Sequence, residues 1–309
     1  DDARASTFND YAQYFNYLSD ITLPALPWDN DQDLAQKSVE LQSNCKDLAE
    51  VVKTISDEDL KRFLSSIQQD ELPTQIRKLE EVKNKLRIDS NRSIRYDNEK
   101  MVECISGINN SIKDKAKIIT TRPSLDLEWF VSLSLMVMND SLDIIPSIKL
   151  GDDGIPTGFR GGLADVECYY ASFKMIVEVT LLNGRDQWIQ EGQPVMRHLR
   201  DFEDKTGTRG DAYCLFIAPY LHRDTVNTYW NSVFHGYEGE KQRIIPLTVG
   251  QYIKILSIVS NKIAASNHPT QYQYKALLDD LYDGYGNAAD VYTWMSSFDT
   301  KIESWGNRN

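Results

Sequence analysis

The segment that most constrains the fold is an apolar stretch, Phe173–Leu181, that contains a single acidic residue, Glu178. Its branched and aromatic residues are typical of a β-strand. A second apolar stretch, Leu163–Tyr169, lies just before it, across a short connection. Because so short a connection suits a tight turn, the two stretches predict an antiparallel hairpin.

Around this hairpin, helical and strand patterns alternate from residue 120 onward. Tyr213–Ala218 is a continuous apolar run, which is typical of a strand buried on both faces. The order of the segments, α-β-β-β-α-β-α-β-α, predicts an α/β fold in which a mixed β-sheet is flanked by helices. The other expected elements are a turn at Gly151–Gly154, strands at Ile144–Leu150 and Arg243–Leu247, and helices at Ser124–Met138, 194–207, 222–234 and Val249–Ile263.

The first third of the chain has a different pattern, in which apolar residues recur at helical spacing from Asp31 onward. Ser56 followed by Asp59 resembles a helix cap, and Pro73 restarts the helical pattern. We therefore expect an all-helical subdomain over residues 1–118, followed by the α/β domain over residues 119–309.

Composition excludes several classes of protein. No apolar run approaches the roughly 18 residues that a membrane-spanning helix needs, so we expect no membrane association. The four cysteines are far apart and form no Cys-x-x-Cys pair, which argues against a zinc site and favours a reducing cytoplasm. The formal net charge of −12 argues against a chain that binds DNA by itself, because phosphate contacts need a basic surface.

The hairpin carries the residues with the clearest chemical meaning. Since strand side chains alternate between faces, Glu178 and Thr180 share one face, and Asp165 and Glu167 share one face of the partner strand. If the register brings Asp165 opposite Glu178, two carboxylates converge and repel unless a cation lies between them. Mg²⁺ prefers such hard oxygen ligands, and the backbone carbonyl of Val179 offers another. The pair therefore predicts a site for Mg²⁺.

Further acidic and basic side chains flank the hairpin in the sequence. Glu191 and His198 follow within one short loop–helix segment, and Glu128 lies on the buried helix upstream. An isolated acidic residue at a strand end is more often a solvated edge residue. The convergence of several such residues is what favours an active site.

These segments together resemble a known family. The chain is similar to the cleavage domain of AlwI-like Type IIS restriction and nicking endonucleases, a variant branch of the PD-(D/E)xK nuclease superfamily. The resemblance covers roughly residues 120–260, and the helical stretch 10–115 is more loosely similar to the family's linker region. Its motifs are Asp165-Val166-Glu167, Glu178-Val179-Thr180 and Glu191–His198, with support from Glu128-Trp129-Phe130, Tyr213–Pro219 and Arg243–Leu247.

The resemblance implies a Mg²⁺-dependent endonuclease that hydrolyses double-stranded DNA, with Mn²⁺ as a substitute metal. It implies that Asp165, Glu178 and the Val179 carbonyl bind the metal. The residues that would complete the catalytic site are Glu128, Glu191 and His198.

Two positions depart from the superfamily pattern. Ala164 stands where a proline is usual, and Thr180 stands where a lysine is usual. That lysine is the common charge stabiliser of the transition state. Our hypothesis is that His198 or Arg197 takes its place.

The resemblance also implies partners. The family places sequence recognition in an N-terminal part, which this chain lacks, and its first residue is Asp1 rather than Met. We therefore expect a fragment of a longer chain that binds DNA poorly by itself in a bacterial or archaeal cytoplasm. One site cuts one strand, so a double-strand break needs a second nuclease subunit or a transient self-dimer.

Two alternatives stay open from the sequence. One is a repair nuclease or junction resolvase with the same fold, although such enzymes more often keep the lysine and a basic surface. The other is a catalytically silent scaffold that binds proteins through the helical first third.

Overall fold

The computed structural model describes residues 31–52, 55–113, 119–150, 155–159 and 162–308. The chain divides into two compact units, with the boundary between Ser93 and Ile94. The turn expected at Gly151–Gly154 lies outside the described residues, as does the chain before Asp31.

The first unit consists of three helices in its described part. Ser56 caps the second helix, because its side chain accepts a hydrogen bond from the backbone N–H of Asp59 at 3.1 Å. Apolar residues at helical spacing form a small core that includes Leu41, Cys45 and Leu79. The helices are α1 (Asp31–Val52), α2 (Asp57–Ile67) and α3 (Leu72–Ser93).

The second unit contains the β-sheets and the remaining helices. Its strands are β1 (Asp143–Pro146), β2 (Ile148–Leu150), β3 (Pro156–Phe159), β4 (Val166–Tyr169), β5 (Lys174–Val179), β6 (Tyr213–Ala218) and β7 (Arg243–Thr248). Its α-helices are α4 (Asn98–Ile112), α5 (Pro123–Met138), α6 (Gly184–Thr206), α7 (Arg223–Phe234), α8 (Val249–Ala264), α9 (Gln271–Asp283), α10 (Val291–Ser296) and α11 (Phe298–Gly306), with a 3₁₀ turn at Gly284–Asn287.

Five strands form the main sheet in the order β1-β4-β5-β6-β7. The pairs β1–β4 and β4–β5 are antiparallel, whereas β5–β6 and β6–β7 are parallel. Every residue of β6, which lies between β5 and β7, is buried, as its continuous apolar run predicts. The expected α/β fold, a mixed sheet flanked by helices after a helical region, is confirmed.

The register of the β4–β5 hairpin fixes which side chains face each other. Val166 pairs with Val177, and the same register places Asp165, just before β4, opposite Glu178. Glu178 lies beside Phe216 in the neighbouring strand, whose ring contacts Tyr229 of α7. Helices α6 and α7 therefore pack on the sheet face from which Glu178 projects, since His198 of α6 also contacts Glu178.

The boundary between the two units differs from the expected one after residue 118. Helix α4 packs on α5 within the second unit, and the two approach so closely that a Cβ on Gly107 would lie 2.4 Å from the ring of Phe130. A helical pattern alone does not reveal which neighbour a helix packs against. The division into a linker-like part and a nuclease part stays a prediction.

Two elements begin or end differently from expectation. Helix α6 begins at Gly184, well before Pro194, which lies inside the helix rather than at its start. The strand expected at Ile144–Leu150 is two strands, because β2 leaves the main sheet and pairs with β3.

Among the helices that the structure describes, none is long and apolar enough to cross a membrane. The four cysteines are all buried, and none is joined in a disulfide bond.

Candidate active site

The candidate site lies at the end of strand β5, where the hairpin meets helix α6. Asp165 and Glu178 face each other across the hairpin, which is the register that the predicted site requires. A carboxylate oxygen of Asp165 (Oδ2) accepts a hydrogen bond of 2.7 Å from the backbone N–H of Val179, which holds the side chain against β5. Glu178 is almost fully buried, with 4% of its surface exposed.

Helix α6 brings His198 to Glu178. Nδ1 of His198 lies 2.8 Å from Oε1 of Glu178. Burial lowers the pKa of His198, and the neighbouring guanidinium of Arg197 lowers it further. An ionised Glu178 can only accept, so the neutral ring then donates its Nδ1–H, whereas a protonated Glu178 donates its O–H to Nδ1. His198 thus orients a carboxylate of the site.

The same helix brings Glu191 to the end of β5. The hydroxyl group of Thr180 and the ring of His198 both lower the pKa of the Glu191 carboxyl group, which places them in its surroundings. Burial nevertheless raises the pKa of Glu191, against the opposing effects of Thr180 and His198. Glu191 is therefore drawn toward the hairpin from a neighbouring element.

The buried helix α5 contributes Glu128. One of its carboxylate oxygens, Oε2, is buried and has no hydrogen-bond partner in the described part of the chain. Burial raises the pKa of Glu128 to about 9, with further contributions from the negative charges of Asp165 and Glu191. A buried polar atom without a partner is uncommon in folded proteins and marks a place where a bound group would fit.

The four residues Glu128, Asp165, Glu178 and Glu191 form what we call the carboxylate cluster. Burial and then Glu178 raise the pKa of Asp165 well above its usual range, and burial, Glu191 and Glu128 do the same for Glu178. Each raised pKa means that the charged forms repel one another and lack solvation. In the absence of a cation, the four groups cannot all be ionised at neutral pH.

The cluster is not a closed metal cage. In the ranges described above, no three His, Cys, Asp or Glu side chains are close enough together to enclose an ion. Mg²⁺ does not require such a cage, because it is usually bound by one or two carboxylates together with waters and substrate oxygens. The hard oxygen donors of Asp165 and Glu178 fit that pattern. Whether the Val179 carbonyl is a ligand stays a prediction.

Glu167 offers a contrast within the same hairpin. It is buried on the face that Asp165 shares, yet it accepts hydrogen bonds of 2.8 and 2.9 Å from Nζ of Lys205 and one of 2.7 Å from the hydroxyl of Tyr169. The negative charge of Glu167 is therefore balanced by the ammonium group of Lys205. The carboxylate cluster has no such lysine or arginine among the contacts described.

Two residues near the site have roles that the sequence did not reveal. Thr180 stands where the superfamily has a lysine, and the face that it shares with Glu178 is the signal that it lies at the site. Gln187 of α6 is fully buried and donates to the carbonyls of Leu182 and Tyr220, while its own carbonyl accepts from the N–H of His222. It joins the β5–α6 connection to the β6–α7 connection.

Of the two residues expected to replace the usual lysine, only His198 contacts the cluster. Arg197 is exposed on the neighbouring side of α6. Its charge affects His198, but no contact with a carboxylate of the cluster is described for it.

Comparison with known proteins identifies the fold. The small subunit R.BspD6I2 of the heterodimeric restriction endonuclease R.BspD6I is similar, with a TM-score of 0.51 over 64% of this chain and 98% of the subunit. The two sequences are 23% identical, so this likeness shows the fold alone. No curated protein matches the chain.

The family is shown by sequence. The sequence profile of the AlwI restriction endonuclease family matches residues 3–255, which includes every residue of the carboxylate cluster. Restriction endonucleases are hydrolases that cleave DNA. The chain therefore belongs to the AlwI restriction endonuclease family, and its activity is that of a DNA endonuclease.

Proposed function

We propose that this chain is the cleavage part of a Type IIS restriction or strand-nicking endonuclease that depends on Mg²⁺. The observation that supports this proposal most strongly is the placement of Asp165 opposite Glu178, with both pKa values raised by burial and by neighbouring carboxylates. A site built of mutually repelling carboxyl groups stabilises a bound divalent cation, because the ion removes the repulsion.

The donor set fits a hard cation. Asp165 and Glu178 would hold Mg²⁺, or Mn²⁺ in its place, and the Val179 carbonyl would add an oxygen ligand. The unpartnered Oε2 of Glu128 supports a group bound nearby. When bound, the cation neutralises charge that builds up on the scissile phosphate and acidifies the attacking water.

The remaining residues of the site, His198, Glu191 and Glu128, would orient a carboxylate, accept a proton or add negative charge. His198 holds Glu178 in place through Nδ1, so its other nitrogen, Nε2, is the one that can accept a proton. Glu191 and Glu128 complete the negative surface around the reacting phosphate. In this proposal His198, once protonated at Nε2, supplies the positive charge that a lysine supplies in the wider superfamily.

The negative charge of the chain supports the proposal that it works together with other protein parts. A net charge of −12 gives little general attraction for DNA, so we propose that a recognition domain outside this chain supplies most of the affinity. The similar R.BspD6I2 is one subunit of a heterodimeric enzyme. By analogy, a second nuclease subunit, or a transient self-dimer, would cut the other DNA strand.

Nicking of supercoiled plasmid in Mg²⁺ and in EDTA tests the proposal. Asp165→Asn and Glu178→Gln should each lower the nicking rate at least about 100-fold, since they remove metal ligands. Glu167→Gln is the matched control, because it makes the same change in the same hairpin outside the cluster. It should leave the rate within about twofold.

The same experiment separates the alternatives. A protein-binding scaffold would show no metal-dependent nicking, and a junction resolvase would cut branched DNA in preference to plasmid. Either result would overturn the proposal, as would equal nicking by Glu178→Gln and the unchanged protein.

A further inference from the structure

Helix α6 carries two residues of the candidate site, one on each side of a proline. Glu191 precedes Pro194 and His198 follows it, so that the two site residues lie about two helical turns apart. Proline has no backbone N–H, so the usual helical hydrogen bond from residue 194 to the carbonyl of Gln190 is missing. The helix is therefore weakened in the turns that join Glu191 to His198.

A contact from helix α7 reaches the main chain of α6 at this point. The hydroxyl group of Tyr229 donates a hydrogen bond of 3.0 Å to the backbone carbonyl of Glu191. Tyr229 is fully buried, and its ring packs edge-on against Phe216 of β6, with the ring centroids 5.1 Å apart. Because packing fixes the ring and the hydroxyl has a defined partner, Tyr229 sets the position of that carbonyl.

The two halves of α6 are tied to neighbouring strands of the sheet. In the second half, Nδ1 of His198 lies 2.8 Å from Oε1 of Glu178 in β5. In the first half, the carbonyl of Glu191 is bonded to Tyr229, which packs on Phe216 of β6. Glu178 and Phe216 are partners in the register of these strands, so both ties lead to the same part of the sheet.

We propose that Tyr229 is a positioning residue, whose hydroxyl group holds α6 in place across Pro194 so that Glu191 and His198 lie at one site. It acts only through the main chain of α6 and contacts neither the cation nor the DNA. The inference rests on the proposed function, since it explains how two residues of one helix are brought to one metal site. It predicts that the hydroxyl becomes dispensable when the helix has no proline.

The test uses Tyr229→Phe, which removes only the hydroxyl oxygen and keeps the ring. Tyr252→Phe is the matched control, because Tyr252 is also fully buried and its hydroxyl is hydrogen-bonded to that of Ser134 at 2.8 Å. Both substitutions are also made in a Pro194→Ala background, in which residue 194 has an N–H to donate to the carbonyl of Gln190. The first readout is the rate at which supercoiled plasmid is nicked in saturating Mg²⁺.

Tyr229→Phe should lower the nicking rate about tenfold, which is the smaller end of what the loss of a supporting contact costs at a metal site. Tyr252→Phe should stay within about twofold of the unchanged protein, because it lies outside the site. In the Pro194→Ala background, Tyr229→Phe should cost less than about twofold, since the hydroxyl and the proline act as one unit. The inference is overturned if Tyr229→Phe costs the same factor in both backgrounds, or if Tyr252→Phe is as slow as Tyr229→Phe.

Amide hydrogen exchange in EDTA separates this inference from the proposed function, because it requires neither metal binding nor cutting. Tyr229→Phe should speed exchange about tenfold in the half of α6 before Pro194 and leave the half after His198 unchanged. Tyr252→Phe should leave both halves unchanged. If the unchanged protein neither binds Mn²⁺ nor cuts DNA, the proposed function fails, and the exchange rates still decide the role of Tyr229. An equal change in both halves, or no change in either, would show that the hydroxyl does not hold the helix across the proline.

Discussion

Nδ1 of His198 lies 2.8 Å from Oε1 of Glu178, which joins helix α6 to strand β5 at the candidate active site. The contact gives His198 a defined role before any substrate is present. It fixes the orientation of a buried carboxylate, and it selects the ring nitrogen that remains available.

The first prediction concerns this contact. His198→Ala should lower the nicking rate about 10- to 100-fold, because Glu178 loses the donor that orients it. Arg197→Ala removes an exposed neighbour and should leave the Mg²⁺ dependence of nicking unchanged. Rates at several Mg²⁺ concentrations measure both effects. Unchanged rates in both variants would contradict the idea that either residue replaces the usual lysine.

The second prediction concerns the stability of the metal-free protein. Burial and neighbouring negative charges raise the pKa of Glu128 from its usual value of 4.5 to about 9. A carboxyl group with a raised pKa stabilises the fold below pH 4.5, and this contribution is lost as pH rises toward 9. Glu128→Gln should therefore unfold at a higher temperature than the unchanged protein at pH 8.5 in EDTA, although it cuts DNA more slowly.

The pH dependence provides the check on this prediction. The advantage of Glu128→Gln in melting temperature should be larger at pH 8.5 than at pH 5, since the free-energy cost of keeping Glu128 in its buried site grows as pH rises from 4.5 toward 9. Glu167→Gln is the control, because Lys205 already matches the charge of Glu167. An advantage that is absent, or that grows as pH falls, would contradict the electrostatic account of the cluster.

The third prediction concerns Gln187, whose side chain makes hydrogen bonds to three backbone groups. Gln187→Leu leaves those groups buried without partners and should lower the free energy of unfolding by about 3 kcal/mol. Gln193→Leu, at an exposed position of the same helix, is the matched control and should change it by less than about 0.5 kcal/mol. Urea denaturation of both variants measures the difference, and equal stability would mean that Gln187 does not join the two connections.

Much of the fold follows from local patterns in the sequence. The alternation of strand side chains, together with the short connection, predicts the hairpin and the shared faces of its side chains, and the register then places Asp165 opposite Glu178. Ser56 and Asp59 form the expected helix cap, and the apolar run Tyr213–Ala218 is a fully buried inner strand.

What the sequence could not reveal depends on contacts between distant segments. Helix α4 belongs with the α/β unit because Gly107 lets it approach Phe130, and no periodic pattern reports that contact. Because proline suits the first turn of a helix, Pro194 predicts too late a start for α6. In the structure Pro194 lies within the helix, which begins at Gly184. The contact between His198 and Glu178 joins a helix to a strand and appears only when both are in place.

The central claim is that Asp165 and Glu178 share a divalent cation. Crystals of the protein soaked in Mn²⁺ and measured for anomalous scattering test it most directly. The account predicts one strong peak within coordination distance of both carboxylates, and its loss in crystals of Asp165→Asn. No peak at this position in the unchanged protein, or a peak that persists in the variant, would contradict it.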